Sequence, residues 1–376
     1  MDHYGFVCLT HMQKNNSTNL RKKVVFLLTD ATTKGGVQRV NSIIGNHLSD
    51  SHDIHIVSIF SQNATPSYSY KERIHTEYLF KEHFDLRLNM LRYSLKICQV
   101  IRKIKPSIVV VSGMGHVPAV LLSTPFHKCT LIAWEHQHYY FGRLFGLEWI
   151  GRRLACCFFN AIITLTKKDY NTYLEKRISR RAEIYHIYNP LMTNENRPYK
   201  HQLKSIVSMG SLTSQKGFDL AIKIAKIIFK NNPEWKWHIY GDGSARDSLQ
   251  KEIIANNLAD NFILEGYSNN AYDLYNEHSI YCMTSRHEGF PMVLLEATAA
   301  HLPIVSFDCP CGPSEIIHDG HNGYLIPCFD ISMFANKLNE LMQSPSKRKE
   351  FSTNQSLNVE KFDLSLIINK WKTILK

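Results

Sequence analysis

The stretch Ser285-Arg286-His287-Glu288-Gly289-Phe290-Pro291-Met292-Val293-Leu294-Leu295-Glu296 decides how the chain is read, because it sets two carboxylates eight positions apart around a turn that opens a helix. Glu288 precedes the turn and Glu296 follows it. Gly289 allows a sharp backbone bend, and Pro291 has the fixed φ and missing N–H that suit a first helical position. A helix opening at about Pro291 would turn the unpaired N–H groups of the run Phe290, Pro291, Met292, Val293, all but Pro291 carrying one, outward at the positive end of its dipole, a site for an anion such as phosphate. Glu296 would sit about one and a half turns in, able to accept hydrogen bonds from paired hydroxyls. Glutamates at this spacing are ordinarily solvated surface charges. The flanks argue otherwise: S-I-Y-C-M-T-S (279–285) and H-L-P-I-V-S-F (301–307) read as buried strands. The carboxylates then lie on a strand–loop–helix–strand unit, and open parallel sheets bind ligands at the carboxyl ends of their strands.

This stretch resembles the glutamate-seven-residues-glutamate signature of the retaining family 4 (group 1) glycosyltransferases. The resemblance continues through Pro303-Ile304-Val305 and Asp308-Cys309-Pro310-Cys311-Gly312-Pro313-Ser314-Glu315-Ile316-Ile317 to Gly323-Tyr324-Leu325-Ile326. It implies an α/β chain of the GT-B fold, two facing Rossmann-like domains with a cleft between them, similar to bacterial capsular and exopolysaccharide enzymes of the amylovoran type. On that resemblance Glu288 is the catalytic carboxylate facing the donor sugar, and Glu296 holds the ribose of a sugar nucleotide.

At 376 residues with 44% apolar content, the chain exceeds what one core normally serves, so two domains are the default. The nine cysteines form no C-x-x-C pair, and no secretory leader is read, which points to reduced thiols in the cytoplasm. Residues 107–126 carry no charged side chain, but two Gly, two Pro, three Ser and a His interrupt them; a strand, a glycine loop and a helix start fit better than a membrane span. The net charge of +11 is uneven: residues 1–188 hold 25 Lys+Arg against 13 Asp+Glu, residues 189–376 hold 19 against 20. A basic first half suits a phosphorylated acceptor or an anionic membrane surface, with peripheral attachment there as an expectation. No nucleic-acid-binding signature accompanies the charge, so no nucleic-acid partner is expected.

Residues 1–20 are polar and read as a disordered extension, with Met12 an alternative start. Residues 21–188 read as the amino-terminal, acceptor-side domain. Its first strand, K-V-V-F-L-L-T, leads into T-T-K-G-G-V-Q-R-V. Gly35-Gly36 alone is a weak signal, more often a plain turn. The resemblance places there the loop that faces the donor diphosphate. Residues 84–105 read as an amphipathic helix whose stripe of Phe84, Leu88, Leu91, Leu95 and Cys98 packs on the sheet, with Arg87, Arg92, Lys96, Arg102, Lys103 and Lys105 on a solvated or membrane-facing side. The strand at 130–134 delivers Glu135-His136-Gln137-His138 at its carboxyl end. A histidine there is usually a satisfied structural residue; by resemblance His136 is the acceptor-side catalytic histidine, with His138 a weaker candidate.

Residues 189–355 read as the sugar-nucleotide domain, and 356–376 as a final helix that, by resemblance, crosses back to the first. After the strand at 205–209, Gly210, Lys216 and Gly217 match the family loop whose lysine binds the donor diphosphate as a point charge. Many relatives carry arginine directly after that glycine; this chain has Ser211, so Arg39 and Arg286 are the candidates to stand in. Tyr267 sits where relatives contact the base, and plain packing is its alternative role. No Asp-x-Asp occurs, so neither metal nor cofactor is implied, and the sugar nucleotide is a substrate. The partners implied are a nucleoside diphosphate sugar, UDP-linked by preference, and a glycan or lipid-linked glycan acceptor. A nucleotide-sugar epimerase of the same architecture and a non-catalytic glycan-binding protein are the rival readings.

Overall fold

The computed structural model describes residues 21–123, 128–177, 179–192, 199–268, 271–356 and 359–376. The expected extension at 1–20 lies outside them. Strands β1 (Lys23–Asp30), β2 (Asp53–Phe60), β3 (His75–Phe80), β4 (Ile108–Ser112), β5 (Thr130–Trp134), β6 (Ala161–Thr164) and β7 (Glu183–His186) form one parallel sheet in the order β3-β2-β1-β4-β5-β6-β7. Strands β8 (Ser205–Met209), β9 (Lys236–Tyr240), β10 (Phe262–Gly266), β11 (Ile280–Met283), β12 (Ile304–Phe307) and β13 (Gly323–Ile326) form a second, also parallel, in the order β10-β9-β8-β11-β12-β13. This is the GT-B architecture.

Central strands such as β4, Ile-Val-Val-Val-Ser, are buried along their whole length, as a parallel strand covered by helices on both faces must be. In each sheet the strand order reverses at one place, between β1 and β4 and between β8 and β11. Loops leaving adjacent strands there diverge to opposite faces and open a crevice. The glycine loop at Gly35-Gly36 leaves β1, the Gly210 loop leaves β8, and the Glu288 loop leaves β11. All three sequence landmarks thus fall at switch points.

Apolar side chains of the two sheets merge into one cluster through an aromatic trio. Tyr188 lies 4.8 Å from Phe362 and 5.7 Å from Phe290, and Phe290 lies 5.9 Å from Phe362, ring centroid to ring centroid. The last helix, Leu364–Ile374, lies against the first sheet, with Trp371 buried 4.7 Å from Trp134 and 5.9 Å from Phe26.

Two expectations need correction. The helix after β3 runs Met90–Ile104, and it buries Tyr93, Ser94, Ile97, Ile101 and Ile104, not the leucine stripe. Leu88, Leu91 and Leu95 point to solvent at 86%, 75% and 65% exposure. The β-branched isoleucines and Tyr93, spaced i, i+4, i+8 and i+11, win the sheet because they form an equally regular stripe that continues to the helix end. The second correction is smaller: Pro291 is the N-cap, in an extended conformation, and the helix is Met292–Ala299.

Candidate active site

A cleft of about 530 Å³ separates the two sheets at their switch points, within the size usual for small-molecule sites. Gly35, Gly36, His136, Gly210, Ser211, Lys216, Tyr267, Glu288, Gly289, Phe290, Pro291, Met292, Val293 and Glu296 all line it. His138 and Arg286 do not contribute to its lining.

Both carboxylates are buried, and each is held by a cation. Lys216 Nζ donates to Glu288 Oε1 at 2.7 Å. Arg39, from the helix Gly36–Leu48 of the first domain, pairs with Glu296 Oε1, while Tyr275 donates its hydroxyl to Glu296 Oε2 at 2.8 Å. Burial raises the Glu296 pKa, and Arg39 and Tyr275 pull it back down without cancelling the shift. The Arg39–Glu296 pair is a direct electrostatic link between the domains inside the cleft. Arg286 is committed elsewhere, with two bonds to the Asp219 carboxylate at 2.8 and 2.6 Å and one to the Ser214 carbonyl at 2.7 Å. Of the two arginines proposed to stand in at Ser211, Arg39 is therefore the one that faces the cleft.

The glycines act mainly by size. A Cβ on Gly289 would lie 1.9 Å from the His136 carbonyl oxygen, so this residue lets the Glu288 loop touch the β5 loop across the domain boundary. Gly35 is extended and needs no glycine for its φ. A Cβ on Gly36 would sit 3.8 Å from Met292, so the starts of the two cleft helices face each other nearly in contact. Phe290 lines the cleft, but its ring belongs to the interdomain aromatic trio. Tyr267 lines the cleft and is 55% exposed, with Lys34 Nζ 3.9 Å over its ring, so its place is not core packing.

His136 is buried, and burial depresses its pKa to about 3, so it is neutral at physiological pH. Its Nε2, with Gln137 Oε1 and Asn189 Oδ1, has no hydrogen-bond partner among the described residues. The residues that carry these three buried, unpartnered atoms all line the cleft. The loop that presents His136 is fixed by Glu135. Arg152 Nε donates to Glu135 Oε2 at 2.6 Å and Tyr173 to the same oxygen at 2.9 Å, and Arg152 also bonds the carbonyls of Phe141 and His138 at 2.6 and 3.1 Å. Arg152→Met should lower stability by about 3–5 kcal/mol because it leaves a buried carboxylate unpaired. Thermal denaturation checks this, and adding Glu135→Leu should restore part of the loss.

A second interdomain tie was visible in sequence only as part of the matching segment. Glu315 Oε1 accepts from the N–H groups of Lys167 and Lys168 at 2.8 and 3.3 Å, and Oε2 from the Tyr188 hydroxyl at 2.6 Å. A carboxylate here complements the N-terminus of the helix Lys167–Lys176. Sequence reasoning also passed over Gln137 and Asn189 as cleft-lining residues, whose only signal was their place after β5 and in the Asn189-Pro190 pair after β7. Among the described residues, the group of His, Asp, Glu or Cys close enough to share a metal ion is Asp53, His55 and His75, at the opposite, amino end of β2 and β3.

Known proteins share the sequence pattern and the fold of this chain. The model described as "Glycosyltransferase Family 4" matches residues 34–195, and "Glycosyl transferases group 1" matches 194–357. An uncharacterized glycosyltransferase of Haemophilus influenzae is 28% identical, covering 94% of this chain and 100% of its own length. The amylovoran biosynthesis glycosyltransferase AmsD of Erwinia amylovora is also 28% identical, over 94% of this chain and 99% of its own. A variant of Staphylococcus aureus TarM, solved in complex with Fondaparinux, alpha-GlcNAc-glycerol and UDP, superposes with a TM-score of 0.81 at 18% identity, covering 94% of this chain and all of that one. With each half matched by a glycosyltransferase model on a single GT-B frame, the chain belongs to the group 1, family 4 glycosyltransferases.

Proposed function

We propose that this glycosyltransferase moves a hexose from a nucleoside diphosphate sugar, preferably a UDP sugar, to a hydroxyl of a glycan or lipid-linked glycan in surface polysaccharide biosynthesis, with the anomeric configuration retained. The observation that carries the reading is the pair of cation–carboxylate contacts, Lys216 with Glu288 and Arg39 with Glu296, facing one cleft from both switch points. A diphosphate entering between them brings the negative charge that both cations can take up. Glu288 and Glu296, relieved of their partners, then become strong acceptors for donor-sugar and ribose hydroxyls. Charge growing on the leaving diphosphate falls to Lys216, Arg39 and the first-turn N–H groups of the helices Met292–Ala299 and Gly36–Leu48, donors fixed before the reaction. Glu288 and Glu296 do not act as a glycosidase pair, since Glu296 is assigned to the ribose. The neutral His136 faces the acceptor.

The relative named for amylovoran biosynthesis supports the polysaccharide setting, and the UDP and alpha-GlcNAc-glycerol of the TarM complex support the donor and acceptor classes. The test is to incubate the enzyme with a panel of sugar nucleotides and glycan acceptors and read the new linkage by NMR. Nucleotide release coupled to a retained linkage is expected. An inverted linkage would remove the retaining assignment, and epimerised donor formed without any acceptor would replace transfer by epimerisation.

A further inference from the structure

Three exposed leucines on one short face are unusual for a surface helix, and their surroundings select what covers them. Leu88, Leu91 and Leu95 follow at i, i+3 and i+7, so they share a side of the Met90–Ile104 helix and the turn before it. Further along the same side come exposed Gln99 and Arg102, so only the first two turns are apolar. Exposed Lys81, Arg87, Arg92 and Lys96 flank the leucines, against Glu82 and Asp85. The base is rigid. Arg92 lies over the rings of Phe80 and Phe84 at 5.1 and 5.4 Å, and Phe84 packs edge-on to Phe60 and Phe80 at 5.0 and 4.7 Å.

Topology repeats the feature beside it. The Met90–Ile104 helix packs on the Val117–Ser123 helix, which packs on the Leu147–Phe158 helix, and all three cover one face of the first sheet. The loop entering the last of these exposes Tyr140, Leu144 and Phe145, with Arg143 exposed between them. Phe145 holds a left-handed φ of 60°, a conformation that costs a bulky residue energy and here keeps its ring outward, 4.9 Å from Trp149. Both segments start from carboxyl strand ends, those of β3 and β5, which is the cleft side of the domain. The leucine segment is also tied to the donor side: His83 Nε2 bonds Asp30 Oδ2 at 2.9 Å, and Gln38, next to Gly35-Gly36, bonds the Asp30 carbonyl at 3.0 Å.

We propose that this rim docks the enzyme on an anionic lipid surface, with Leu88, Leu91, Leu95, Leu144 and Phe145 entering the headgroup boundary and Arg87, Arg92, Lys96 and Arg143 contacting the phosphates. Apolar tips inside a basic collar match a surface that is apolar below and negative above, and the uneven charge of the chain agrees with that sign. The face is too short to span a bilayer, and among the described residues no helix is long and apolar enough to do so. Docked this way, the acceptor side of the cleft opens beside the membrane, so the acceptor would be lipid-linked. That consequence rests on the transferase reading; the docking itself does not.

The test is co-sedimentation of the full chain with phosphatidylcholine vesicles, with and without phosphatidylglycerol, in the absence of any sugar nucleotide. Binding only to the anionic vesicles, weakened by salt, is expected. Replacing Leu88, Leu91 and Leu95 together by Ser should lower partitioning at least about tenfold, since leucine burial carries roughly that much per residue. Arg87→Gln with Lys96→Gln should lower it on the order of fivefold per charge. All are exposed positions, and unchanged melting and unchanged UDP binding would show that the fold and cleft are intact. Undiminished vesicle binding by the leucine variant would overturn the proposal. So would leucine-dependent self-association of the wild-type chain without vesicle binding, which would make a second copy the occupant.

Discussion

Glu288→Gln should lower turnover by at least about a hundredfold while leaving UDP affinity unchanged or slightly tighter. The amide keeps the size of the side chain and can still accept from Lys216 Nζ, now 2.7 Å away, so the loop should hold its shape. On the proposed reading, what disappears is the negative charge facing the donor sugar, which matters only while charge develops at the reacting carbon. The same charge repels the diphosphate in the ground state, and for that reason its loss should not weaken nucleotide binding. Single-turnover rates alongside calorimetry with UDP separate the two effects. A variant with both turnover and affinity intact would make Glu288 a structural anchor for Lys216.

The second large effect concerns Lys216 itself. Lys216→Ala should cost about 3 kcal/mol in kcat/KM, the worth of one fixed charge-stabilising donor in a water-poor site. Ser211 supplies no charge beside it, and Arg286 is held by Asp219, which leaves Arg39, on Glu296, and Lys34, over the Tyr267 ring, as the cations lining the cleft from the opposite wall. Arg39→Met should therefore weaken UDP binding, and the double variant should lose more than either single one. Ser211→Arg in the Lys216→Ala background should recover part of the loss if its side chain reaches the phosphates. A Lys216→Ala enzyme within threefold of the parent would refute a central role for this lysine. Absence of rescue by Ser211→Arg would point to a substitute cation, and the Arg39→Met double variant then separates Arg39 from Lys34.

The parts of the molecule that were legible in the sequence are those whose physics is local. The buried strands announce themselves as short apolar runs, and Gly289 with Pro291 marks the turn and helix start to within one residue. The switch-point loops were legible through their glycines, although the reason for Gly289 was not: it is needed for contact with a carbonyl in the other domain, and no local spacing encodes that. Strand β3, H-T-E-Y-L-F, was missed because a half-buried edge strand with Thr and Glu in it carries no continuous apolar run. The orientation of the Met90–Ile104 helix was misread because two apolar stripes compete along it, and which one the sheet takes depends on packing partners distant in sequence. The same holds for the Arg39–Glu296 pair, whose members stand 257 positions apart, and for Glu135 with Arg152, which meet only once β5 and the Leu147–Phe158 helix have packed.

The central claim is that this cleft holds a nucleoside diphosphate sugar with its ribose on Glu296 and its diphosphate between Lys216 and Arg39. It is tested most directly by calorimetric titration of UDP and a panel of UDP sugars into the wild-type chain and Glu296→Ala. The account predicts saturable binding by the wild type and at least about tenfold weaker binding by the variant, in keeping with the loss of charge-assisted hydrogen bonds to two hydroxyls. Undiminished affinity in Glu296→Ala, with its fold intact by thermal denaturation, would contradict it.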